Sequence, residues 1–523
     1  MAGHDEPFDI TQVCVTTAQM QAIEAQIFGA GFPVAALMEK VAGRIVGYWL
    51  KQWPRPDPGP QRSGQVGVLV GPGHNGGDAL VVARELYLKG YDVRIYGPFE
   101  GAKPLTADHG RYCRSLGIPW YRSWEELAEG LHPGSRLLDG LFGFGLSRPL
   151  TGEVAAAVDD INRRQLPVVS IDLPAGIHTD SGQPLGTALR AETTLCLGLW
   201  KRACLQEAAQ PYLGNIHLIE FDIPSANVEA VLGPVPAVQR LTAPQALSML
   251  PLHRSPVAHK YTVGQVLIIA GSRQYGGAAL LAGHGAMASG VGMVTLVVPE
   301  GLRSHILAQL PGALVMGAPE TADGTIATLP DLDLGRYDAI GCGPGLAAVD
   351  WLPEILASPT PLLLDADGLN GTTAQSLVQR QGPTVITPHP GEFKRLFPDL
   401  VPGHDGAQRA ARLTGATVVL KGAKVAIAAE RLWLNPHSTP ALARGGSGDV
   451  LTGLMAGLMA QGLAAPNGGD RVTAAALGAV WWHAQTGLYV QRRRTVLGVD
   501  PLTLAQHLNE ALASYGSAPL ETL

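Results

Sequence analysis

Twice in this chain an apolar strand runs straight into a glycine-rich turn and then a helix, and that unit constrains the fold more than any other feature. The first copy is QVGVLV followed by GPGHNGGD and a helix over Ala79–Lys89. The second is GQVLIIAG, a turn over Gly271–Gly277, a helix, and the strand MVTLVVP. Unbroken apolar runs of this length suit strands buried on both faces, and the helix after each returns the chain for a parallel neighbour. YDVRIYG, RLLDGLF, PVVSIDL and IHLIEFDI add strand candidates in the first half. YDAIGCGPG, PLLLDADGLN, PTVITPHPGE and ATVVLKGAKVAIAAERLWLN add them in the second. Val34, Leu37, Met38, Val41, Ile45 and Trp49 follow helical spacing and predict an amphipathic helix. Strands alternating with helices predict an α/β fold with mostly parallel sheets covered on both faces.

At 523 residues the chain is too long for one ordinary core. The segment PSANVEAVLGPVPAVQRLTAPQALSMLPLHRSP mixes proline, small residues and weak periodicity, which places a boundary near residue 235 and domains over 1–234 and 235–523. No register superimposes the two halves, so the pattern is a fusion and not a duplication. WPRPDPGPQRSG is a loop by composition. The net charge is −6 and no basic run exceeds Arg492–Arg494, which argues against a general nucleic-acid surface. Five scattered cysteines with no CxxC pair suggest neither a zinc site nor a disulfide framework, and point to a reducing compartment. The start, MAGHDEPFDI, lacks the apolar core of a signal peptide, and the apolar stretch Ala474–Trp482 is far too short to span a membrane. A cytoplasmic protein with no membrane partner is expected, and a symmetric homo-oligomer is a common state for nucleotide enzymes of this size.

The chemistry concentrates in loops after strands, where open α/β sheets collect ligands. In ALARGGSGDVLTG, glycines precede Asp449, and the apolar run after it predicts a helix with Asp449 in its first turn. Such a turn accepts an anion on its unpaired N–H groups. A carboxylate beside that anion cannot hold phosphate, but it can take a proton from a hydroxyl that attacks phosphorus. An ordinary acidic residue closing a helix start would read the same. PHPGE puts His389 at a strand end, and LKGAKV puts Lys421 between two strands, where a solvated turn lysine is the plain alternative. In the first half, GPGHNGGDAL, LLDGLFGFGLSRPLTG with Asp139, and VVSIDLPAG with Asp172 are three strand-end loops. Each acid could simply form a turn, but three such loops favour convergence on one site.

Taken together and in order, AGSRQYGGAALLAG, GCGPGL, DADGLN, TPHPGEFKRL, LKGAKV and GGSGDVLTGLMAGLMAQG resemble the ribokinase-like ADP-dependent NAD(P)H-hydrate dehydratases, over about Gly264 to Gln485. The first-half loops resemble the NAD(P)H-hydrate epimerases, over about Thr16 to Asp222. The resemblance implies a Rossmann-like three-layer sandwich followed by a ribokinase-like α/β domain. It implies that the first interconverts the R and S hydrates of NADH and NADPH (NADHX and NADPHX), and that the second dehydrates the S form at the expense of ADP, releasing AMP and phosphate. A small-molecule kinase of the ribokinase class, for a vitamin or sugar, is the alternative.

The resemblance also implies residues. Ala278, Gly345, His389 and Asp449 would contact the hydrate, with Asp449 catalytic. Lys421, Gly422, Ala423, Lys424 and Val425, with Gly445, Gly446, Ser447 and Gly448, would hold ADP, whose phosphates a magnesium ion would bridge. In the epimerase half, His74, Asn75, Gly76, Gly77 and Asp78 would contact substrate, as would Gly143, Phe144, Gly145, Leu146, Ser147, Arg148 and Pro149. Asp172 would do so as well and would be the acid/base, with Lys201 a second candidate; Asn75 and Asp139 would hold a potassium ion. Four places depart from the family wording: Ala175 where a serine is usual, Lys40 where asparagine is common, HKYTVGQ where Gly-Asp-Phe is common, and HSTPALARGG before the loop, where Arg444 either meets a phosphate or faces solvent.

Overall fold

The apolar runs assemble into two sheets, one in each of two units, Met1–Pro236 and Ala237–Leu523, in a computed structural model that describes residues 9–55, 64–462 and 470–516. The first unit contains β1 (Cys14–Val15), β2 (Gln65–Val70), β3 (Asp92–Tyr96), β4 (Trp120–Tyr121), β5 (Arg136–Gly140), β6 (Val168–Ile171), β7 (Thr193–Leu197), β8 (Trp200–Lys201) and β9 (Asn215–Ile219). Seven of them form a wholly parallel sheet in the order β4-β3-β2-β5-β6-β7-β9. β1 and β8 pair separately, Val15 opposite Lys201. The chain starts at β2, moves outward to β4, then crosses back to β5 and proceeds the other way. The crevice lies where that direction reverses, at the carboxyl ends of β2 and β5. Helices cover both faces: Ile45 and Trp49 of Val34–Gln52 and Leu80 and Leu86 of His74–Leu88 fill one core, while Trp124 and Leu127 join Val158 and Ile161 of Gly152–Arg163 in the other.

The second unit contains β10 (Val238–Arg240), β11 (Gln265–Ile269), β12 (Met293–Pro299), β13 (Leu314–Ala318), β14 (Ala339–Cys342), β15 (Leu362–Leu364), β16 (Thr384–Ile386), β17 (Thr417–Leu420), β18 (Ala426–Ala428) and β19 (Leu432–Leu434). Their order is β10-β19-β18-β17-β16-β15-β14-β11-β12-β13, parallel except where β17, β18 and β19 run as an antiparallel meander. The reversal point is between β11 and β14. The α/β class expected from the strand–turn–helix units is therefore the observed one in both halves.

Some local expectations shift. The first helix begins at His74 and not Ala79, so Asn75 to Asp78 are helical. Glycines there are costly in a free helix, but a Cβ at Gly76 would come within 2.0 Å of the Gly71 carbonyl oxygen, so packing overrides propensity. β4, β7, β10 and β13 carry no glycine-rich turn and were not separable from loop by pattern. The weakly periodic middle holds a helix over Ser225–Leu232, β10, and a helix over Ala243–Ser248 capped by the Thr242 side chain. Most of WPRPDPGPQRSG and the first eight residues of MAGHDEPFDI lie outside the described residues. Ala474–Trp482 belongs to the helix Arg471–Arg494 and is buried in the second core. No described helix is long and apolar enough to cross a membrane.

Candidate active sites

In the first unit the three loops meet around a cavity of about 600 Å³ at the carboxyl end of the sheet. His74, Asn75 and Asp78 line it from the start of the helix after β2. Gly143, Phe144, Gly145, Leu146, Ser147 and Arg148 line it from the loop after β5, and Asp172 from just beyond β6. Gly76, Gly77 and Pro149 support the wall without lining it: Gly77 packs on Met38, and Pro149 lies near Gly186.

Asp172 sits at φ +68, a left-handed conformation that turns its side chain back to the strand ends. Its Oδ2 accepts from the Phe144 backbone N–H at 2.8 Å, and its Oδ1 from that of Leu197 at 3.3 Å. Lys201, the second acid/base candidate, is 1% exposed, with Nζ 2.6 Å from Asp172 Oδ1. It also donates to the Leu197 carbonyl and lies over the Phe144 ring. Burial works against the Lys201 charge, but Asp172, Cys196 and Glu24 outweigh it and hold the ammonium above its ordinary range.

Asp139 is fully buried below this cavity and does not line it. Its carboxylate accepts from the Leu141 N–H at 3.1 Å, the Ser170 hydroxyl at 2.9 Å and the Ala175 N–H at 3.0 Å. Burial raises its pKa to about 6. Ala175 thus contributes its backbone to Asp139 where a serine would add a hydroxyl. Lys40 points elsewhere, pairing with Asp222 at 2.7 Å.

In the second unit Asp449 occupies the first turn of the helix Ser447–Ala460, as the loop pattern predicts. Gly446 at its start has φ +95, which a residue with a Cβ adopts only under strain. Beside it lies a buried ion pair: Lys421 Nζ is 2.5 Å from Asp365 Oδ1, and Asp365 Oδ2 accepts from Thr452 Oγ1 at 2.6 Å. A Cβ at Gly448 would stand 3.9 Å from both Asp365 Oδ2 and Lys421 Nζ, so the glycine loop rests on that pair. Burial raises the Asp449 pKa to about 6; the Asp365 charge adds to this and Lys421 opposes it. For Asp365 burial also raises, but Lys421 and hydrogen bonds prevail and keep it below the usual carboxylate range.

His389 caps the helix Pro390–Leu396, its Nδ1 accepting from the N–H groups of Gly391 and Glu392. Glu392 Oε2 in turn accepts from the His389 N–H at 2.8 Å and lies 4.0 Å from Lys421 Nζ, linking this loop to the ion pair. Gly345 has φ +66, and a Cβ on it would lie 2.9 Å from that of Ala278, so these two residues meet. Gly446 adjoins Leu281 of the same helix, Gly276–Ala288. Gly422 to Val425 form the turn between β17 and β18, where Lys424 donates to the Pro436 carbonyl. Arg444 donates to the Leu497 carbonyl at 2.8 Å. Ser447 is buried against His483, whose Nε2 lies 3.0 Å from the Ser447 carbonyl oxygen; burial pushes that imidazole down to about 4. Gly445 opens the loop and is exposed.

Sequence reasoning passed over Glu24, Asp365, Glu392 and Thr452. Asp365 had a visible signal, an acid closing the apolar run PLLL as Asp139 and Asp172 close theirs.

Family models match both units: a model described as NAD(P)H-hydrate dehydratase covers residues 266–510, and one described as YjeF-related protein N-terminus covers 34–203. The chain is 51% identical over 504 residues to a protein of Thermosynechococcus vestitus named bifunctional NAD(P)H-hydrate repair enzyme Nnr, covering 94% of this chain and 96% of that one. A protein of the same name from Synechocystis is 49% identical over 513 residues, covering 95% and 94%. A Bacillus subtilis structure described as ADP/ATP-dependent NAD(P)H-hydrate dehydratase co-crystallised with ATP and Mg2+ is 30% identical, covers 53% of this chain and 98% of its own, and has a TM-score of 0.46.

Proposed function

The chain belongs to the bifunctional NAD(P)H-hydrate repair enzymes, and on that premise we propose how its two halves divide the work. Residues 1–234 interconvert the R and S forms of NADHX and NADPHX, and residues 235–523 dehydrate the S form using ADP. What supports this is that the first unit gathers polar loop residues where its strand order reverses, and the second gathers Asp365, Glu392 and Lys421 just after β15, β16 and β17, beside the Asp449 loop. Family membership also sets aside the vitamin or sugar kinase.

In the dehydratase the obstacle is that hydroxide leaves carbon poorly. Asp449 takes the proton from the C6 hydroxyl as its oxygen bonds to the β-phosphorus of ADP and the bond to AMP breaks. The C6–O bond then breaks, pushed by the ring nitrogen, phosphate departs, and loss of a C5 proton restores the dihydropyridine ring. Ala278, Gly345 and His389 position the hydrate. The N–H groups from Gly445 to Gly448 hold phosphate, and Lys421 to Val425 form the rest of the nucleotide site. Lys421 offsets the carboxylates of Asp365, Glu392 and Asp449 until phosphate binds. Among the described residues no group of three or more His, Cys, Asp or Glu is arranged to hold a metal. A magnesium ion would therefore be carried chiefly by the phosphates, as its preference for oxygen and water allows.

In the epimerase, Asp172 with Lys201 handles protons at C6, and the loop Gly143–Pro149 with His74 to Asp78 holds the substrate. A potassium ion suits Asp139, a buried carboxylate with no ion pair among the described residues, together with Asn75, whose side-chain oxygen Oδ1 faces Gly143 beside Asp172 Oδ2. The ion would keep Asp139 charged. The protein works in the cytoplasm as a symmetric homo-oligomer.

The test is to supply mixed R and S NADHX with ADP and follow the dihydronicotinamide absorbance. Complete recovery is expected. Recovery of the S fraction alone beyond the spontaneous rate removes the first unit's role, and ADP consumption with no recovery removes the second's.

A further inference from the structure

The cavity of the first unit holds an acid with no part in the reaction described so far. Gln21, Glu24, Ala25 and Phe28 of the helix Thr17–Gly29 all line it, a spacing of three and four that puts them on one helical face. Capping fixes that face: Thr16 closes a capping box with Gln19, and Thr17 N–H bonds Asp180 Oδ1 at 2.7 Å. The loop carrying Phe144 packs on the same helix, since a Cβ at Gly145 would lie 3.7 Å from Gln21. Glu24 and Asp78 thus face the same cavity as the Lys201–Asp172 pair from two separate helices. Among the described residues neither carboxylate has a hydrogen bond or ion pair, whereas Asp172 is saturated by Lys201, Phe144 and Leu197.

That asymmetry bears on the chemistry. One route to inversion at C6 has the hydroxyl leave and water return on the other face, with two proton transfers of opposite direction. Asp172 accepts from the Lys201 ammonium and from two backbone N–H groups, so its oxygens are set up as acceptors. We propose that Glu24 is the general acid of the epimerase, protonating the departing C6 hydroxyl, with Asp172 accepting the proton when water returns.

The C6–O bond breaks as the Glu24 proton moves to oxygen, water leaves, and the N1 lone pair becomes the C6–N1 double bond of a cation. Water then bonds to C6 from the other side, the double-bond pair returns to N1, and the excess proton goes to Asp172. Water bonded to a cationic carbon is strongly acidic, so even a lysine-paired carboxylate is base enough. Transfer of that proton from Asp172 to Glu24 resets the pair. The carboxylates of Glu24 and Asp172 also stabilise the cation electrostatically, whereas burial, reinforced by Asp172 and Glu24, holds Asp78 well above the usual carboxylate range. Burial, reinforced by Asp172, raises Glu24 to about 7, so it carries a proton in part of the molecules at neutral pH. The charged and titratable groups facing it are His74 and Asp78, Lys103, Arg148, Asp172 and Lys201.

This rests on the epimerase reading of the first unit, and the variants separate the two. In the full chain, E24Q should slow R-to-S conversion by about 100-fold or more, leave KM for R-NADHX within about threefold, and leave ADP-dependent dehydration of S-NADHX unchanged. E24D should recover much of the rate. The wild-type rate should fall as pH rises through Glu24's ionisation near 7, and the residual E24Q rate should lack that limb. E24Q activity within about threefold of wild type overturns the proposal, as does equal loss in E24Q and E24D, which marks a structural residue. D172N assayed beside them tells the readings apart: slow D172N with normal E24Q removes Glu24 alone, and normal D172N removes Asp172 and the site reading with it.

Discussion

Asp449 carries two opposed demands. To act as a base it must be ionised, yet burial and the neighbouring Asp365 raise its pKa to about 6. The folded protein therefore binds a proton there that the unfolded chain has already released. Stability falls as pH rises from the ordinary carboxylate value through about 6, at a cost on the order of 2 kcal/mol at neutral pH after allowing for solvent screening. D449N removes that charge while keeping the shape. It should lower dehydration by about 100-fold or more, leave epimerisation intact, and raise the melting midpoint of the second unit by several degrees at neutral pH. Near pH 4 the gain should vanish, because wild-type Asp449 is then neutral in the fold. A neutral-pH midpoint below wild type would show that the charge is satisfied and not tolerated. Asp449, His389 and Asp172 were legible as candidates because each ends a strand or starts a helix in a short string of glycines and prolines. Glu24 was not, because nothing in TAQMQAIEAQIFG tells which side of the helix faces a cavity. Lys201 was legible only as a choice, since its burial follows from β8 pairing with β1, a contact distant in sequence.

At the scale of elements, the glycines after Asp449 serve a second purpose. The helix Ser447–Ala460 lies against Gly276–Ala288 closely enough that a Cβ at Gly453 would come within 1.8 Å of the Ala282 carbonyl oxygen. One at Gly285 would come within 2.2 Å of the Val450 carbonyl oxygen, and one at Gly457 within 2.2 Å of Ser289 Oγ. This contact fixes the distance between the phosphate loop, at one helix start, and Ala278, at the other. G453A must push the helices apart, because carbonyl oxygens of a helix cannot rotate away. It should cost about 1–3 kcal/mol in the second unit and lower the dehydration rate while epimerisation is untouched, measured on the same preparation. Equal stability of G453A and wild type would mean that the helices are less tightly seated. The strand–turn–helix units were readable because their apolar runs and glycines are local. β7, β10 and β13 were hidden, since short strands without glycine turns are defined by the neighbours they pair with, and those partners are remote in the chain.

At the scale of the whole molecule, the two reactions need no shared residue. Among the described residues the hydrophobic core clusters lie each within one unit: Leu241 to Leu508 in the second, and those containing Trp49, Trp124 and Leu213 in the first. Neither large sheet, among the described residues, takes a strand from the other unit. A chain built this way should survive division between Pro236 and Ala237. Residues 237–523 alone, given ADP and an equilibrated mixture of hydrates, should recover the S fraction rapidly and the remainder only at the spontaneous rate. Residues 1–236 added as a separate chain should restore rapid, complete recovery, because the S hydrate can diffuse between the two. If the second fragment folds and dehydrates but the first accelerates nothing in trans, epimerisation depends on the intact chain. If R-NADHX is recovered rapidly without the first fragment, the second unit accepts both epimers and the fusion has another purpose.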